Sequence, residues 1–396
     1  MTIKCLGLTS LADIACIQTD SRQVKPGDIF VAINTGHAYI QQALSLGAKL
    51  VIAEQAGPHI HHVVDTKIWL ADVAKYYRHQ LCAKVIGVTG SVGKTTLVQH
   101  LKQVLKQFGK VYATVGNQNN EIGCALTLLN APIDVDYLVV EMGISQPFDM
   151  DFLVDMVNPD IALLTCIGFT HLAALESTHG VWSEKIKIAM PNTKLFCMQD
   201  QPWIKQAHHP ISLVSYSDHC VHVDEQKYTQ VGVIDEIEKV TMMGVTAVLH
   251  QLGIKDYQWQ KQSVFKRAVV VKHHKGATWI NDTYNASLLA YHYAMKSLAQ
   301  YQNKRVLLAG EMGGLGIHTS KVHRYFAKLL NQVDLDMVIF YGKAMQEVFW
   351  RYQGEAIYVE NANQLDDILE DYSTKEYTVW LKGSRHLALE NYICLL

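Results

Sequence analysis

Residues 85–97 read VIGVTGSVGKTTL: an apolar run, a glycine-containing turn, then a lysine and two threonines. A strand leading through such a turn into a helix is the context that phosphate binding demands. Gly90 and Gly93 let backbone amides approach phosphate oxygens with no Cβ in the way, and Ser91 lies between them. The start of the following helix adds partial positive charge. Lys94 can reach β- and γ-phosphates, and the hydroxyl of Thr95, followed by Thr96, can ligate Mg²⁺. An ordinary glycine turn is the alternative, and the lysine–threonine pair at this spot argues against it. The strict GxxxxGK[ST] pattern wants its first glycine at position 88, where this chain has Val88. The loop is therefore a variant of that pattern.

Two further side chains fall where ligands gather. Glu141 ends the apolar strand YLVVEMG, and His171 follows the strand in DIALLTCIGFTHL. In open α/β sheets, ligands bind at the carboxyl edge of the strands. A carboxylate on a second strand beside a phosphate loop serves the metal; a solvated acid at a strand end is the other reading of Glu141. His171 is either a metal ligand or, as most lone histidines are, a satisfied structural residue.

The elements around these positions alternate between short apolar strands and amphipathic helices. GKTTLVQHLKQVLKQFG carries Leu97, Leu101, Val104 and Leu105 on one stripe. Continuous apolar strands between helices argue for parallel sheets covered on both faces. Three regions differ in texture: 1–78, a small α/β unit with the strands IFVAI and KLVIAE; 79–262, with the phosphate loop; and 263–396, a fresh α/β series from RAVVVKHH to YTVWLKGS. With 396 residues, 49% hydrophobic and 18% charged, the chain can bury sizeable cores. A net charge of −2 gives no electrostatic footprint for nucleic acid or an anionic membrane. No apolar run reaches the roughly 18 residues of a membrane span, and Asp13 interrupts what would be the apolar core of a signal peptide. The eight cysteines form no CxxC pair, so neither a zinc site nor a disulfide framework is expected. These features predict a cytoplasmic protein with no membrane insertion and no nucleic-acid partner. The histidine pairs 61–62, 208–209 and 273–274 read as solvated surface.

The motifs TGSVGKTT, GNQNNEIGCALTLL (116–129), VVEMG (139–143), NPDIALLTCIGFTHL (158–172), NDTYNAS (281–287), LLAGEMGGLG (307–316) and LKGSR (381–385) occur in that order, behind TDSRQVKPGDIFVAI near the start. This ordered set resembles the Mur ligases of peptidoglycan synthesis over nearly the whole chain, and most the branch that adds D-alanyl-D-alanine to UDP-N-acetylmuramoyl-tripeptide. The resemblance accounts for Val88, since that family's loop is of the shorter TGxxGKT kind. It implies an α/β fold of three domains: an amino-terminal UDP-sugar-type unit, a central P-loop parallel-sheet domain and a Rossmann-like carboxy-terminal domain. It also implies an ATP-dependent, ADP-forming ligase, active as a monomer, that joins a carboxylate, here a UDP-linked one, to an amine or dipeptide through an acyl phosphate. Carried over by position, Gly90, Ser91, Gly93, Lys94, Thr95, Thr96 and Asn120 serve the nucleotide. Thr95, Glu141, His171 and Lys185 serve two Mg²⁺ ions, with Lys185 carbamylated by CO₂; read without the resemblance, Lys185 is a surface residue. Asp282, Tyr284 and Asn285 meet the nucleotide from the third domain, Arg267 lies at its entry, and Lys382 and Arg385 face the reacting groups. Asn285, Lys382 and Arg385 reach the phosphates only when the domains close.

Departures from the family pattern cluster on the substrate-holding surfaces. The loop after FVAINTG is short. Glu238, Lys239 and Met242 stand where an HNxxN stretch helps hold adenine, Cys166 and Phe169 replace an asparagine and a proline before His171, and Lys187 replaces an acid. Two alternatives follow from these changes: a divergent paralogue joining another acid and amine, or a non-catalytic nucleotide-binding homologue.

Overall fold

The computed structural model describes residues 7, 8, 10, 13, 16–198, 202–229, 236–258 and 268–393. Its strands make three sheets. The first is small and parallel, in the order β1 (Ile17–Gln18), β2 (Ile29–Val31), β3 (Leu50–Ala53), β4 (Ile60–His62). Strand alternation sends Phe30 and Val51 to a cluster with Ile40 and Ala43 of helix α1 (Ile40–Ser45). Ile29, Val31 and Ile52 go to the opposite face. The expected IFVAI and KLVIAE strands are these β2 and β3. The helix between them is α1, with Gly47 beyond its end at φ +96°.

Helix α2 (Thr66–Arg78) falls before the expected boundary at 78/79. Its apolar stripe of Trp69, Leu70, Val73, Ala74 and Tyr77 nonetheless joins the core of the central unit. Its polar side chains also bind that unit. Tyr77 donates to Ala131 O at 2.7 Å, and Arg78 donates to Val157 O and Asn158 O at 3.0 Å each.

The second sheet has eight strands in the order β12-β11-β10-β9-β8-β5-β7-β6. Its parallel part runs from β5 (Lys84–Thr89), β6 (Val111–Ala113), β7 (Tyr137–Glu141) and β8 (Ile161–Leu164) to β9 (Lys194–Cys197) and β10 (Ile211–Ser217). Strands β11 (Cys220–Val223) and β12 (Gln226–Thr229) extend it antiparallel, which the expectation of parallel sheets did not include. Successive residues of β5 face opposite sides. Ile86 and Val88 pack with α3 (Lys94–Leu105) and α8 (Glu236–Gln251); Val85 packs with α4 (Glu121–Leu129), α5 (Asp149–Val157) and α7 (Thr178–Lys185). Leu97, Leu101, Val104 and Leu105, the predicted stripe, are all buried. A short helix, α6 (Leu172–Leu175), precedes α7. The chain leaves β5 for β6 and β7 on one side and later takes β8 on the other, so the strand order reverses beside β5, the position where such sheets form a ligand crevice.

The third sheet runs β13-β14-β18-β15-β16-β17, parallel except for the edge pair β13 (Val269–Lys272) and β14 (Thr278–Asp282). The rest are β15 (Lys304–Gly310), β16 (Met337–Tyr341), β17 (Ala356–Val359) and β18 (Tyr377–Lys382). Around them lie α9 (Leu288–Leu298), α10 (Thr319–Leu330), α11 (Gln346–Phe349) and α12 (Leu365–Glu370). His273, expected on the surface, is buried here: its ring packs against Trp279 at 5.1 Å, because β13 turns back on β14 and folds the histidine over the indole.

Candidate active site

The loop after β5 folds as the glycines require. Gly90, at φ +143°, lies so close to the chain after β8 that a Cβ on it would sit 1.9 Å from Thr165 Oγ1. Thr165 Oγ1 in turn donates to Val92 O at 2.6 Å, and Ser91 N donates to Cys166 O at 2.8 Å, so the loop is pinned to β8. Gly93 caps α3 in the left-handed conformation, at φ +88°, and no side chain caps that helix end. The first amides of α3 are therefore available to an anion. Lys94 Nζ donates to Gly90 O at 2.8 Å, folded back over its own loop.

Glu141 ends β7 directly opposite Val88 in the sheet register. The substitution at 88 is thus a core residue under the loop. Glu141 is 1% exposed. Its backbone N donates to Thr114 Oγ1 at 2.9 Å, and its Oε1 accepts from Asn119 Nδ2 at 2.8 Å. Its Oε2 is buried and has no hydrogen-bond partner among the described residues. A buried carboxylate oxygen left unbonded is costly unless a cation or water meets it. Asn119 was not singled out from the sequence: the run GNQNN offers four side-chain amides, and only the fold aims one at Glu141. Asn120, next in that run, accepts from Gly123 N at 2.9 Å and so caps α4, while its side also faces the cleft.

His171 is held at φ +57°. Burial first, and then the nearby Lys185 and Lys94, push its imidazole down to about 4, so it is a neutral nitrogen donor at physiological pH. Lys185, at the end of α7, is not on the surface; it is one of the largest fully buried side chains. Burial, and next the charge of Lys94, hold its amine well below the usual lysine range, with Cys166, Glu141 and Glu184 acting the other way. Its neighbour Lys187 is tied to Asp151 at 2.6 Å and to Glu184 at 2.7 Å.

The third unit closes over this edge. A cleft of about 1030 Å³ is lined by Ser91, Gly93, Lys94, Thr95, Thr96, Asn120, Glu141 and His171 from the central unit and by Asp282, Tyr284, Asn285 and Lys382 from the third. Glu238 and Thr241 of α8 line it as well, whereas Met242 is buried in the core and is not part of the lining. Tyr293, Ser297 and Tyr301, from α9 and the turn after it, add to the wall, and no motif in the sequence marks them. Asp282 and Lys382 are register neighbours on β14 and β18. Lys382 Nζ donates to Asp282 Oδ2 at 2.7 Å and to Asn285 O at 3.2 Å. Arg385 is not part of the cleft lining: it ion-pairs with Glu390 and is largely exposed. Arg267 lies outside the described residues.

The donor set of Thr95, Glu141 and His171 suits a hard divalent cation: a hydroxyl, an unpaired carboxylate oxygen and a neutral imidazole face one cleft. No helix among the described residues is long and apolar enough to cross a membrane.

Comparison with known proteins points the same way. The profile of the Mur ligase middle domain matches residues 88–249, and that of the Mur ligase glutamate ligase domain matches residues 266–385. The UDP-N-acetylmuramoyl-tripeptide–D-alanyl-D-alanine ligase of Bacillus subtilis (strain 168) is 28% identical over 421 residues, covering 95% of this chain and 92% of its own. The MurF ligase of Thermotoga maritima, solved in complex with ADP, superposes with a TM-score of 0.83 at 25% identity, covering 97% of both chains. MurF from Acinetobacter baumannii superposes at 0.85 with 23% identity, covering 96% of this chain and 92% of its own, a likeness of fold. With both domain profiles matched in order and the three-sheet architecture shared with the MurF structures, the chain belongs to the Mur ligase family of ATP-dependent peptide ligases.

Proposed function

We propose that the chain adds D-alanyl-D-alanine to UDP-N-acetylmuramoyl-tripeptide with cleavage of ATP to ADP and phosphate. The observation that carries the reading is the shared cleft: a phosphate loop, an unpaired buried carboxylate on Glu141 and the third-unit side chains Asn285 and Lys382 all open onto one space. The named activity of the Bacillus subtilis relative, aligned over nearly the whole chain, supports the choice of substrates.

The chemistry needs such a cleft because a carboxylate is resonance-stabilised and lacks a leaving group. A carboxylate oxygen of the tripeptide attacks the γ-phosphorus, the bond to ADP breaks, and an acyl phosphate forms. The amine of the dipeptide then attacks the acyl carbon, loses a proton to solvent, and phosphate departs as the amide forms. The amides at the start of α3 and the Lys94 ammonium hold the β- and γ-phosphates. Thr95, Glu141, His171 and a carbamylated Lys185 would hold Mg²⁺, which offsets the repulsion between triphosphate and carboxylate. Asn119 fixes the rotamer of Glu141 by bonding its other oxygen. Burial beside Lys94 favours the neutral amine of Lys185, the form that adds to CO₂ with release of a proton. Asn285, Tyr284 and Lys382 enclose the reacting groups and keep water from an acyl phosphate that would hydrolyse. ATP and a nucleotide-linked substrate favour a cytoplasmic setting for this reaction, with the monomer as its working unit.

The test is phosphate release with mass detection of product from Mg-ATP, UDP-N-acetylmuramoyl-tripeptide and D-alanyl-D-alanine. The short turn over Asn34–Tyr39, together with Glu238 at the cleft, favours a second reading in which another acid is joined. Turnover with a different acid–amine pair, and none with these two, replaces the first reading by the second.

A further inference from the structure

Residues 168–175, which carry His171, are gripped from two sides. On the side of the phosphate loop, Ser91 Oγ accepts from Gly168 N at 3.0 Å and lies 3.0 Å from Thr170 Oγ1. On the other side stands the third unit. The ring of Phe169 stacks on Tyr325 of α10, with centroids 6.3 Å and planes 27° apart. Ala173 N donates to Gly314 O at 3.2 Å. The turn after β15 comes so close that a Cβ on Gly316, at φ +53°, would lie 3.0 Å from Ala173 Cα. Within the grip His171 holds a φ of +57°, and Glu176, next after the segment, one of +61°. Non-glycine residues keep that conformation only where their surroundings over-determine it.

We propose that these third-unit contacts form a clasp that sets the position of His171 relative to the phosphate loop, and that Phe169, Tyr325 and Gly316 are positioning residues for the metal-dependent step. The proposal rests on the ligase reading above. With the third unit seated, the segment is held at both ends and its imidazole is delivered to the cleft that Lys94, Thr95 and Glu141 line. With the unit displaced, Phe169 loses its stacking partner, Ala173 N loses its acceptor, and the left-handed backbone at His171 loses what fixes it. The cation site is then complete only when Asn285 and Lys382 have also arrived, so phosphoryl transfer waits for enclosure. Tyr325 is 45% exposed, with Lys328 Nζ 5.8 Å from its ring centroid, so the stack sits at a rim and can part without opening a core.

Tyr325→Ala, Tyr325→Phe and Gly316→Val in the full chain test the clasp, with Ile317→Ala, on the same turn and 95% exposed, as control. Tyr325→Ala should raise the Mg²⁺ concentration for half-maximal phosphate release about five- to twentyfold and leave the KM for ATP unchanged. Tyr325→Phe keeps the ring and should restore the wild-type value; Gly316→Val should act as Tyr325→Ala does; Ile317→Ala should match wild type. Hydrogen exchange at the Ala173 amide, which needs no turnover, should be faster in Tyr325→Ala, and Mn²⁺ binding with a non-hydrolysable ATP analogue, followed by electron paramagnetic resonance, should be weaker. Wild-type exchange and Mn²⁺ affinity in Tyr325→Ala overturn the clasp whether or not ligation is seen. A wild-type chain that binds Mn²⁺ and the analogue but ligates nothing overturns the ligase reading alone.

Discussion

Asp282→Ala should loosen the third unit by an amount the structure lets one work out. Asp282 Oδ2 receives Lys382 Nζ at 2.7 Å and Trp380 Nε1 at 3.4 Å, and the two charged side chains are only 11% and 2% exposed. Removing one partner of a buried pair costs about 3–5 kcal/mol, because the other charge stays buried and uncompensated. Lys382 would keep Asn285 O at 3.2 Å and the face of Tyr291 at 5.8 Å, so the lower end, about 3 kcal/mol, applies. That equals roughly a hundredfold in a local opening constant at about 1.4 kcal/mol per tenfold. Hydrogen exchange with mass spectrometry on the full chain reads it directly: peptides from β14 and β18 should exchange roughly a hundredfold faster, while those from β5 and β7 stay as they were. The double variant Asp282→Ala/Lys382→Met should recover at least about 2 kcal/mol of the summed losses of Asp282→Ala and Lys382→Met, since it removes both charges. Loss of less than about 1 kcal/mol in Asp282→Ala, or strict additivity in the double variant, would show that the pair is not a buried ionic contact and refute the reasoning.

Other perturbations test other parts. Lys94→Ala and Lys185→Ala should each abolish turnover; full activity in Lys185→Ala, with or without added short carboxylates, would remove Lys185 from the metal set. Gly90→Ala drives a Cβ into Thr165 Oγ1, so calorimetric ATP affinity should fall by at least about tenfold. His323 is buried, lies 2.8 Å through Nδ1 from Thr319 O, and accepts from Met312 N at 3.3 Å through Nε2. Burial lowers its pKa in the folded state, so its contribution to stability is full above the unfolded value of about 6.5 and is lost as pH falls below that. Thermal melts of His323→Gln should lack the part of the acid-side loss that wild type shows below pH 6.5; identical pH curves would assign that loss elsewhere.

The parts legible in the sequence were those whose signal is local. Strand and helix periods located β5, β7, β8 and α3, and the glycines of the phosphate loop announced its backbone. Lys185 was not legible from residues alone, because a lysine at a helix end is ordinarily solvated; only the packing of α7 against the central sheet buries it. His273 deceived for the same reason, as nothing in the His-His pair indicates that β13 folds it over Trp279. The antiparallel strands β11 and β12 carry no signal of their own in the sequence, and their place in the sheet comes from the pairing of β11 with β10 and of β12 with β11. Arg385 looked available in LKGSR, yet Glu390, five residues on, takes it.

Helix α2 has a consequence for how such a chain can be rebuilt. It belongs by contact to the nucleotide machinery, although in the chain it follows the small sheet. The connection between β4 and α2 comes down to residues 63–65, with Val64 94% exposed and Asp65 capping the helix through Lys67 N and Ile68 N. A seam for grafting a foreign acceptor-reading module onto this phosphoryl-transfer engine therefore lies at 63–65. A chimera cut at 78 would strand Tyr77 and Arg78 away from the carbonyls they hold, whereas a cut at 64 keeps the engine whole and makes its front end an exchangeable part.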